Sequence, residues 1–207
     1  MPEPPRKRPL QSRSRATVEA LHEATVQVLA RGGPGAATTT RIAERAGVSV
    51  GTLYQYFPDR LSLLADVYDR RAGEAVDALA DALADVGPDG DAPRRLAGRL
   101  VDAYVAAKTA RTDVSRALYA LPLELGQDEV VARHVARAVE SIAGALERLP
   151  GRLRVPAHEA AALVAATVQE PVRALVLAGA TPDASARLAR ALSTMIAAYV
   201  ADVVDGT

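Results

Sequence analysis

The chain has 207 residues, with 25 Lys/Arg against 25 Asp/Glu, three His and no Cys. That length buries a core without covalent staples, and the missing thiol excludes disulfides, zinc-thiolate sites and a cysteine nucleophile. The zero net charge is unevenly spread: residues 1–60 carry nine Lys/Arg and five Asp/Glu, residues 61–207 sixteen and twenty. A basic head on an acidic body is expected where the head alone meets a polyanion. The basic N-terminus is followed by no apolar signal region. The longest apolar run, Ala160 to Val168, is cut by Gln169, Glu170 and Pro171, too short to span a bilayer. The expectation is a soluble, cytoplasmic protein with no membrane partner.

Ala and Leu are abundant and period-two β-branched runs are absent, so the fold class expected is all-α, with about nine helices. Residues 1–12 hold four prolines and three basic residues and read as a disordered basic arm. Ser12 or Ser14 caps a first helix running to about Arg31, with Val18, Leu21, Thr25, Val28 and Leu29 on its inner face. The run Gly32-Gly33-Pro34-Gly35 stops it. A short helix follows over Thr39 to Ala46, capped by Thr38 and ended by Gly47. Ser49 caps another, ending near Tyr56, and Asp59 caps a long helix from Arg60 to about Val86. Further helices read at 92–110, 113–125, 128–149, 156–179 and 183–204, separated by Gly- and Pro-bearing breaks.

The informative stretch is residues 38–60, TTTRIAERAGVSVGTLYQYFPDR. Ile42, Ala43 and Ala46 face inward from its first helix, and Leu53 and Phe57 from its second. Val48 fills the turn between them. Two short helices crossing at a tight turn make a helix-turn-helix, whose second helix suits a DNA major groove. With the inward residues removed, Val50, Gly51, Thr52, Tyr54, Gln55 and Tyr56 point outward. Gln55 can form paired hydrogen bonds to a base edge, and Val50 and Thr52 can touch a thymine methyl. The tyrosine hydroxyls can reach phosphate oxygens. The competing reading of this surface is a dimer or ligand contact.

These residues resemble the DNA-binding signature of the TetR-type (tetracycline-repressor-like) regulators. The matching positions are Thr38, Ile42-Ala43, Ala46-Gly47-Val48-Ser49, Gly51-Thr52-Leu53-Tyr54 and Tyr56-Phe57. Arg60 stands where the family usually has lysine, and Arg41 where it often has a capping acid. The resemblance covers roughly residues 15–70. It implies that Thr39, Thr40 and Arg41 meet backbone phosphate, that Val50, Gly51, Thr52 and Gln55 face bases, and that Tyr54 and Tyr56 clamp phosphates and sugars. Arg60, at a helix N-terminus, would meet a further phosphate. The arm residues Arg6, Lys7, Arg8, Arg13 and Arg15 lie along DNA or form a solvated terminus. The domains implied are 1–12 arm, 13–60 helix-turn-helix and 61–207 ligand-binding and dimerisation, with helix 60–86 connecting the last two. The function implied is a ligand-responsive transcriptional regulator of bacterial type, a repressor, released from its operator by a small molecule. A sequence-nonspecific nucleoid-type protein is the alternative.

No cofactor, metal or enzymatic activity is expected. Gly47-Val48-Ser49-Val50-Gly51 matches a hydrolase nucleophile elbow in spelling, but that motif needs a preceding strand and partnering His and acid. Here a helix precedes it, and His22, His134 and His158 stand in no triad context.

One helix-turn-helix makes too few contacts for tight binding. Two of them, roughly 34 Å apart, read a pseudopalindromic double-stranded DNA operator. Helices 156–179 and 183–204 are the expected homodimer interface, the latter through Leu188, Leu192, Met195, Ile196, Tyr199 and Val203; the alternative is that both are simply core. Polar groups among apolar helices mark the expected effector site: Tyr104, Lys108, Tyr119, Glu124, Gln169, Glu170 and Arg173. Glu170 and Arg173 suit a pair with each other equally well, and Lys108 suits solvent. The lone phenylalanine, Phe57, belongs to the head, so an aliphatic, modestly polar effector is expected.

Overall fold

A computed structural model describes residues 12–87, 91–125 and 128–205. Side chains are described for these except at 12, 13, 122–125, 128 and 205. Among the described residues the chain forms nine helices: α1 (Ser12–Ala36), α2 (Thr39–Ala46), α3 (Val50–Tyr56), α4 (Arg60–Ala84), α5 (Ala92–Thr109), α6 (Thr112–Leu125), α7 (Asp128–Glu147), α8 (Ala157–Leu177) and α9 (Pro182–Val203). An all-helical architecture is what the composition predicts. A two-residue antiparallel pair accompanies the helices, β1 (Arg152–Leu153) with β2 (Val204–Asp205), Leu153 opposite Val204. Helical periodicity gives no hint of it.

Two compact units emerge, the first from the described residues through Ala72 with Asp113–Val131, the second from Gly73–Thr112 and Ala132 onward. Helix α4 contributes Leu63, Leu64 and Val67 to the core of the first and Leu79 and Leu83 to that of the second.

In the first unit, Leu21, Ala24, Val26 and Leu29 of α1 close over Ile42, Ala43, Leu53 and Phe57. Helix α6 joins this core through Val114, Ala117 and Leu121. Of the expected basic arm, Arg6, Lys7, Arg8 and the Arg13 side chain lie outside the described residues, and Arg15 is exposed on α1. Helix α1 runs past the expected stop. Gly33 breaks it with a backbone (φ 68°, ψ −174°) essentially restricted to glycine, and Pro34 starts one more turn ending at Ala36.

A polar link runs from the edge of this apolar core to solvent. His22 of α1 is 6% exposed. Its Nε2 lies 2.8 Å from Asp66 Oδ2, and its Nδ1 lies 3.0 Å from Arg70 Nη1. Arginine only donates, so Nδ1 accepts and Nε2 carries the hydrogen that is given to Asp66. Arg70 also forks onto Glu19, at 2.6 and 3.0 Å, and this hydrogen bonding holds the Glu19 carboxyl below its usual range. Glu19 therefore supports folding above the ordinary carboxylate range, and that support fades as pH falls through its lowered value. The pair is exposed, so the effect is small.

In the second unit α5 lies along α9, and α8 packs on both. The core is aliphatic: Leu96, Leu100, Val101, Val105, Ile142, Leu146, Val164, Val168, Val172, Leu192, Ile196 and Val200. Helix α8 continues through Pro171 and is long and apolar enough to cross a membrane by length and composition. Its Leu163 and Leu177 are exposed, as is Met195 of α9 at 59%.

Replacing His22 by Ala removes a buried ring and its hydrogen bonds with Asp66 and Arg70, while Arg70 keeps its fork onto Glu19. A loss of about 2–3 kcal/mol is expected, read by urea denaturation; a loss within experimental scatter would show the link to be dispensable.

Candidate functional site

The helix-turn-helix is assembled by short-range capping. Thr38 Oγ1 accepts from the Arg41 amide at 3.3 Å and opens α2. Gly47 closes α2 in the left-handed conformation (φ 70°), its amide reaching the Ala43 and Glu44 carbonyls. Ser49 Oγ accepts from the Thr52 amide at 3.0 Å and lies 2.8 Å from Thr52 Oγ1. Ser49 is therefore the cap of α3, with helix α2 before it, and the elbow-like spelling around it has no strand to stand on. Asp59 and Ser62 form a reciprocal cap at the start of α4: Asp59 Oδ1 accepts from the Ser62 amide at 2.7 Å, and Ser62 Oγ accepts from the Asp59 amide at 3.3 Å.

These caps fix which way α3 faces. Leu53 is fully buried and Phe57, just past the helix, is 1% exposed. His22 packs its ring 5.9 Å from that of Phe57. Gly51, Tyr54 and Gln55 are exposed, Tyr54 at 44%. Val50, Thr52 and Tyr56 are half-buried, and Val50 and Tyr56 lean against the core. The outward face of α3 is thus narrower than the sequence suggests. Thr40 and Arg41 are exposed at the start of α2, and Thr39 Oγ1 lies 3.5 Å from the Tyr54 hydroxyl. Arg41 Nη1 also donates to the Ala36 carbonyl, at 3.5 Å.

Arg60 is placed differently from its neighbours. Its Nε donates to the Ala37 carbonyl at 2.8 Å and its Nη2 to the Pro34 carbonyl at 2.6 Å. Sequence reasoning could not see these bonds, which span 23 and 26 residues. It also missed Gln27 and Arg45, whose side chains join α1 to α2 at 2.5 Å.

The residues expected around an effector fall in both units. Tyr119 is half-buried in the first, and the Glu124 side chain lies outside the described residues. In the second, Tyr104 and Lys108 come together on α5, the ammonium 5.6 Å from the ring centroid, a cation–π distance. Burial lowers the Lys108 pKa from its ordinary 10.5. Gln169 is half-buried, whereas Glu170 and Arg173 are exposed and pair with each other at 3.5 Å. An open groove of about 730 Å³ lies between the start of α5 and α9, lined by Asp91, Pro93, Arg94, Ser193, Thr194 and alanines of α9. Its lining includes none of the residues expected around an effector.

Comparison with known proteins matches two stretches of the chain, the second of which takes in Asp113–Val131 of the first unit. Residues 21–67 match the model described as bacterial regulatory proteins, tetR family, and residues 93–199 the tetracyclin repressor-like C-terminal domain. The HTH-type transcriptional repressor KstR of Mycolicibacterium smegmatis is 42% identical over 65 residues, 31% of this chain and 31% of that protein. KstR of Mycobacterium tuberculosis is 38% identical over 65 residues, 31% of this chain and 29% of that protein. The match spans about a third of the length of these curated relatives. Among solved structures, a TetR-family regulator from Mesorhizobium loti superposes with a TM-score of 0.79 at 18% identity, over 94% of this chain and all of that one. FadR of Bacillus subtilis, in complex with stearoyl-CoA, superposes with a TM-score of 0.64 at 15% identity, over 90% and 99% of the chains. At such identities the likeness is one of fold.

Because burying the Lys108 ammonium is costly, the folded chain binds its proton less readily than the unfolded chain. The cost is present in full below the lowered pKa and fades as pH rises towards 10.5. Lys108→Met keeps the stem and is expected to raise the neutral-pH melting temperature. The gain should shrink in alkaline buffer. An unchanged or lower melting temperature would mean that the aromatic contact outweighs desolvation.

Proposed function

The chain belongs to the tetR family of bacterial regulatory proteins, and on that footing we propose that it is a cytoplasmic transcriptional repressor that binds a pseudopalindromic operator as a homodimer and leaves it when a small molecule binds. The observation that carries this reading is α3. It is seven residues long, capped by Ser49 and anchored by Leu53 and Phe57, and it offers Gly51, Tyr54 and Gln55 to solvent. A glycine there lets the helix approach a base edge, Gln55 suits adenine, and Tyr54 suits a phosphate or sugar. Thr39, Thr40 and Arg41, at the α2 N-terminus, suit the adjoining backbone, where the helix dipole also favours an anion. Thr52 and Val50 present only part of their surface and take the lesser share of base contacts.

Dimerisation through α8 and α9 is supported by their exposed apolar residues. Leu163, Leu177 and Met195 project among alanines, and a second copy covers them as a bundle of four helices. The same covering accounts for the apolar character of α8 without a bilayer. The effector reading is supported by the aliphatic core of the second unit, which offers Leu, Val, Ile and Ala and scarcely any aromatic surface. Lys108 and Tyr104 supply a polar group on α5. The stearoyl-CoA in the FadR neighbour makes acyl chains the first class to try. Helix α4 belongs to both units, so effector binding and operator binding share one continuous element; the coupling needed is of order 1–3 kcal/mol.

Selection of sites from random duplex DNA at physiological salt tests the first part. One enriched pseudopalindrome, lost with Tyr54→Ala, is the expected result. Uniform and steeply salt-dependent binding would replace the repressor reading with a nucleoid-type one.

Titration of acyl chains of increasing length against the operator complex tests the second part. Release is expected at ligand concentrations that saturate the protein. An acyl ligand that binds and leaves operator affinity untouched would remove that class.

A further inference from the structure

We propose that Arg60 is a positioning residue for the DNA-binding end of α2, acting through the carbonyls of Pro34 and Ala37 and not as a contact to operator phosphate. The proposal rests on the DNA-binding reading above and departs from the phosphate role that the family resemblance implies.

Arg60 is the first residue of α4. A cation there sits at the positive end of its own helix, an unfavourable place. The two bonds described above resolve this. They carry the guanidinium to two backbone carbonyls at and just past the end of α1, whose oxygens each have a second lone pair to offer even where, as at Pro34, one bond is already made to the Ala37 amide. Gly33 makes this possible: its glycine-only backbone redirects the chain, and the turn that follows presents the Pro34 and Ala37 carbonyls three residues apart. Ala37 is fully buried, so the segment cannot turn those carbonyls out to water without losing that burial.

The position of this turn matters because it leads directly into α2. Its own hydrogen bonds are short-range: the Ala37 amide to the Pro34 carbonyl at 3.1 Å and the Thr38 amide to the Ala36 carbonyl at 2.9 Å. Thr38 then caps α2, and its carbonyl receives the Ile42 amide at 3.0 Å. Beyond that local set, Ala37 packs into the core of the first unit and Arg41 Nη1 reaches the Ala36 carbonyl at 3.5 Å, while Arg60 adds hydrogen bonds to the turn from 23 and 26 residues away. The residues that follow the cap, Thr39, Thr40 and Arg41, are those proposed to meet DNA backbone. Arg60 thus governs where they stand.

The fork is specific to arginine. Nε and Nη2 lie side by side in one plane and reach two separate carbonyls, whereas an ammonium is a single point. Lysine preserves a phosphate contact but not this bridge.

The test compares the full chain with Arg60→Lys and Arg60→Gln on a selected operator across a salt series, with amide hydrogen exchange on the free proteins. If Arg60 positions α2, both variants weaken binding by roughly tenfold at every salt concentration, with the salt slope unchanged. In the free proteins, exchange then quickens at Ala37, Thr38 and Ile42 while the buried amides of α1 and α4 keep their rates. If Arg60 instead meets phosphate, Arg60→Lys binds as the original does. Arg60→Gln then flattens the slope by about 0.9 for each phosphate that is no longer neutralised. Either of those results, unaltered exchange at the three amides, or faster exchange throughout the first unit would overturn the proposal. The exchange measurement needs no DNA, so failure to find any operator would strike the regulator reading while the placement of the turn is still decided.

Discussion

A helix of seven residues does not hold its shape alone in water, and α3 exists because Leu53 and Phe57 are drawn into the core of the first unit. Everything that faces outward from α3 depends on that burial. The two side chains are four residues apart, so they fix both the position and the rotation of the helix about its axis. Local caps sharpen the ends. Gly47 turns α2 off in a conformation that costs a side-chain-bearing residue about 1–2 kcal/mol, and Ser49 starts α3 two residues later. The floor beneath Phe57 is His22, held from both ring nitrogens by Asp66 and Arg70. Hydrogen bonds at both ring nitrogens oppose rotation of the imidazole and so favour this geometry of the aromatic contact.

The head of the chain is largely readable because its determinants are local. Helix caps, a glycine between two short helices and a four-residue hydrophobic spacing all lie within about twenty residues, and each has its own physical signature. The all-helical fold and the succession of helices are readable for the same reason. What stays hidden depends on contacts between distant residues. Periodicity shows that Val114, Ala117 and Leu121 form an apolar stripe, but not that the stripe joins the core around Leu53 and Phe57. Arg60 reads as a cation near a helix start; only three-dimensional proximity to Pro34 and Ala37 shows the carbonyls it serves.

The candidate effector residues illustrate a different loss of information. Tyr104 and Lys108 are one helical turn apart, and their meeting on α5 follows from spacing. Glu170 and Arg173 have the same kind of spacing, and they use it to pair with each other in solvent. Sequence spacing identifies residues that can touch, but not whether the face they share looks inward. For Lys108 the desolvation is the distinguishing sign, since a solvated amine would titrate as usual. The narrower outward face of α3 has a related cause. Val50 and Tyr56 sit at the margins of a short helix, where half of each side chain meets the protein.

The small ladder between Arg152–Leu153 and Val204–Asp205 bears on assembly. It joins the segment entering α8 to the segment leaving α9, and the Arg154 amide adds a bond to the Val203 carbonyl at 2.8 Å. The α8–α9 hairpin is therefore clasped at its open end as well as at its turn. In a two-fold assembly any axial slip of one helix is repeated in the partner, and the mismatch is counted twice. A closed loop of backbone permits no such slip. In the dimer proposed above, the clasp would work as a gauge block: it sets the length of the mating face before the two halves meet, so each copy would arrive already cut to the dimension that the other requires.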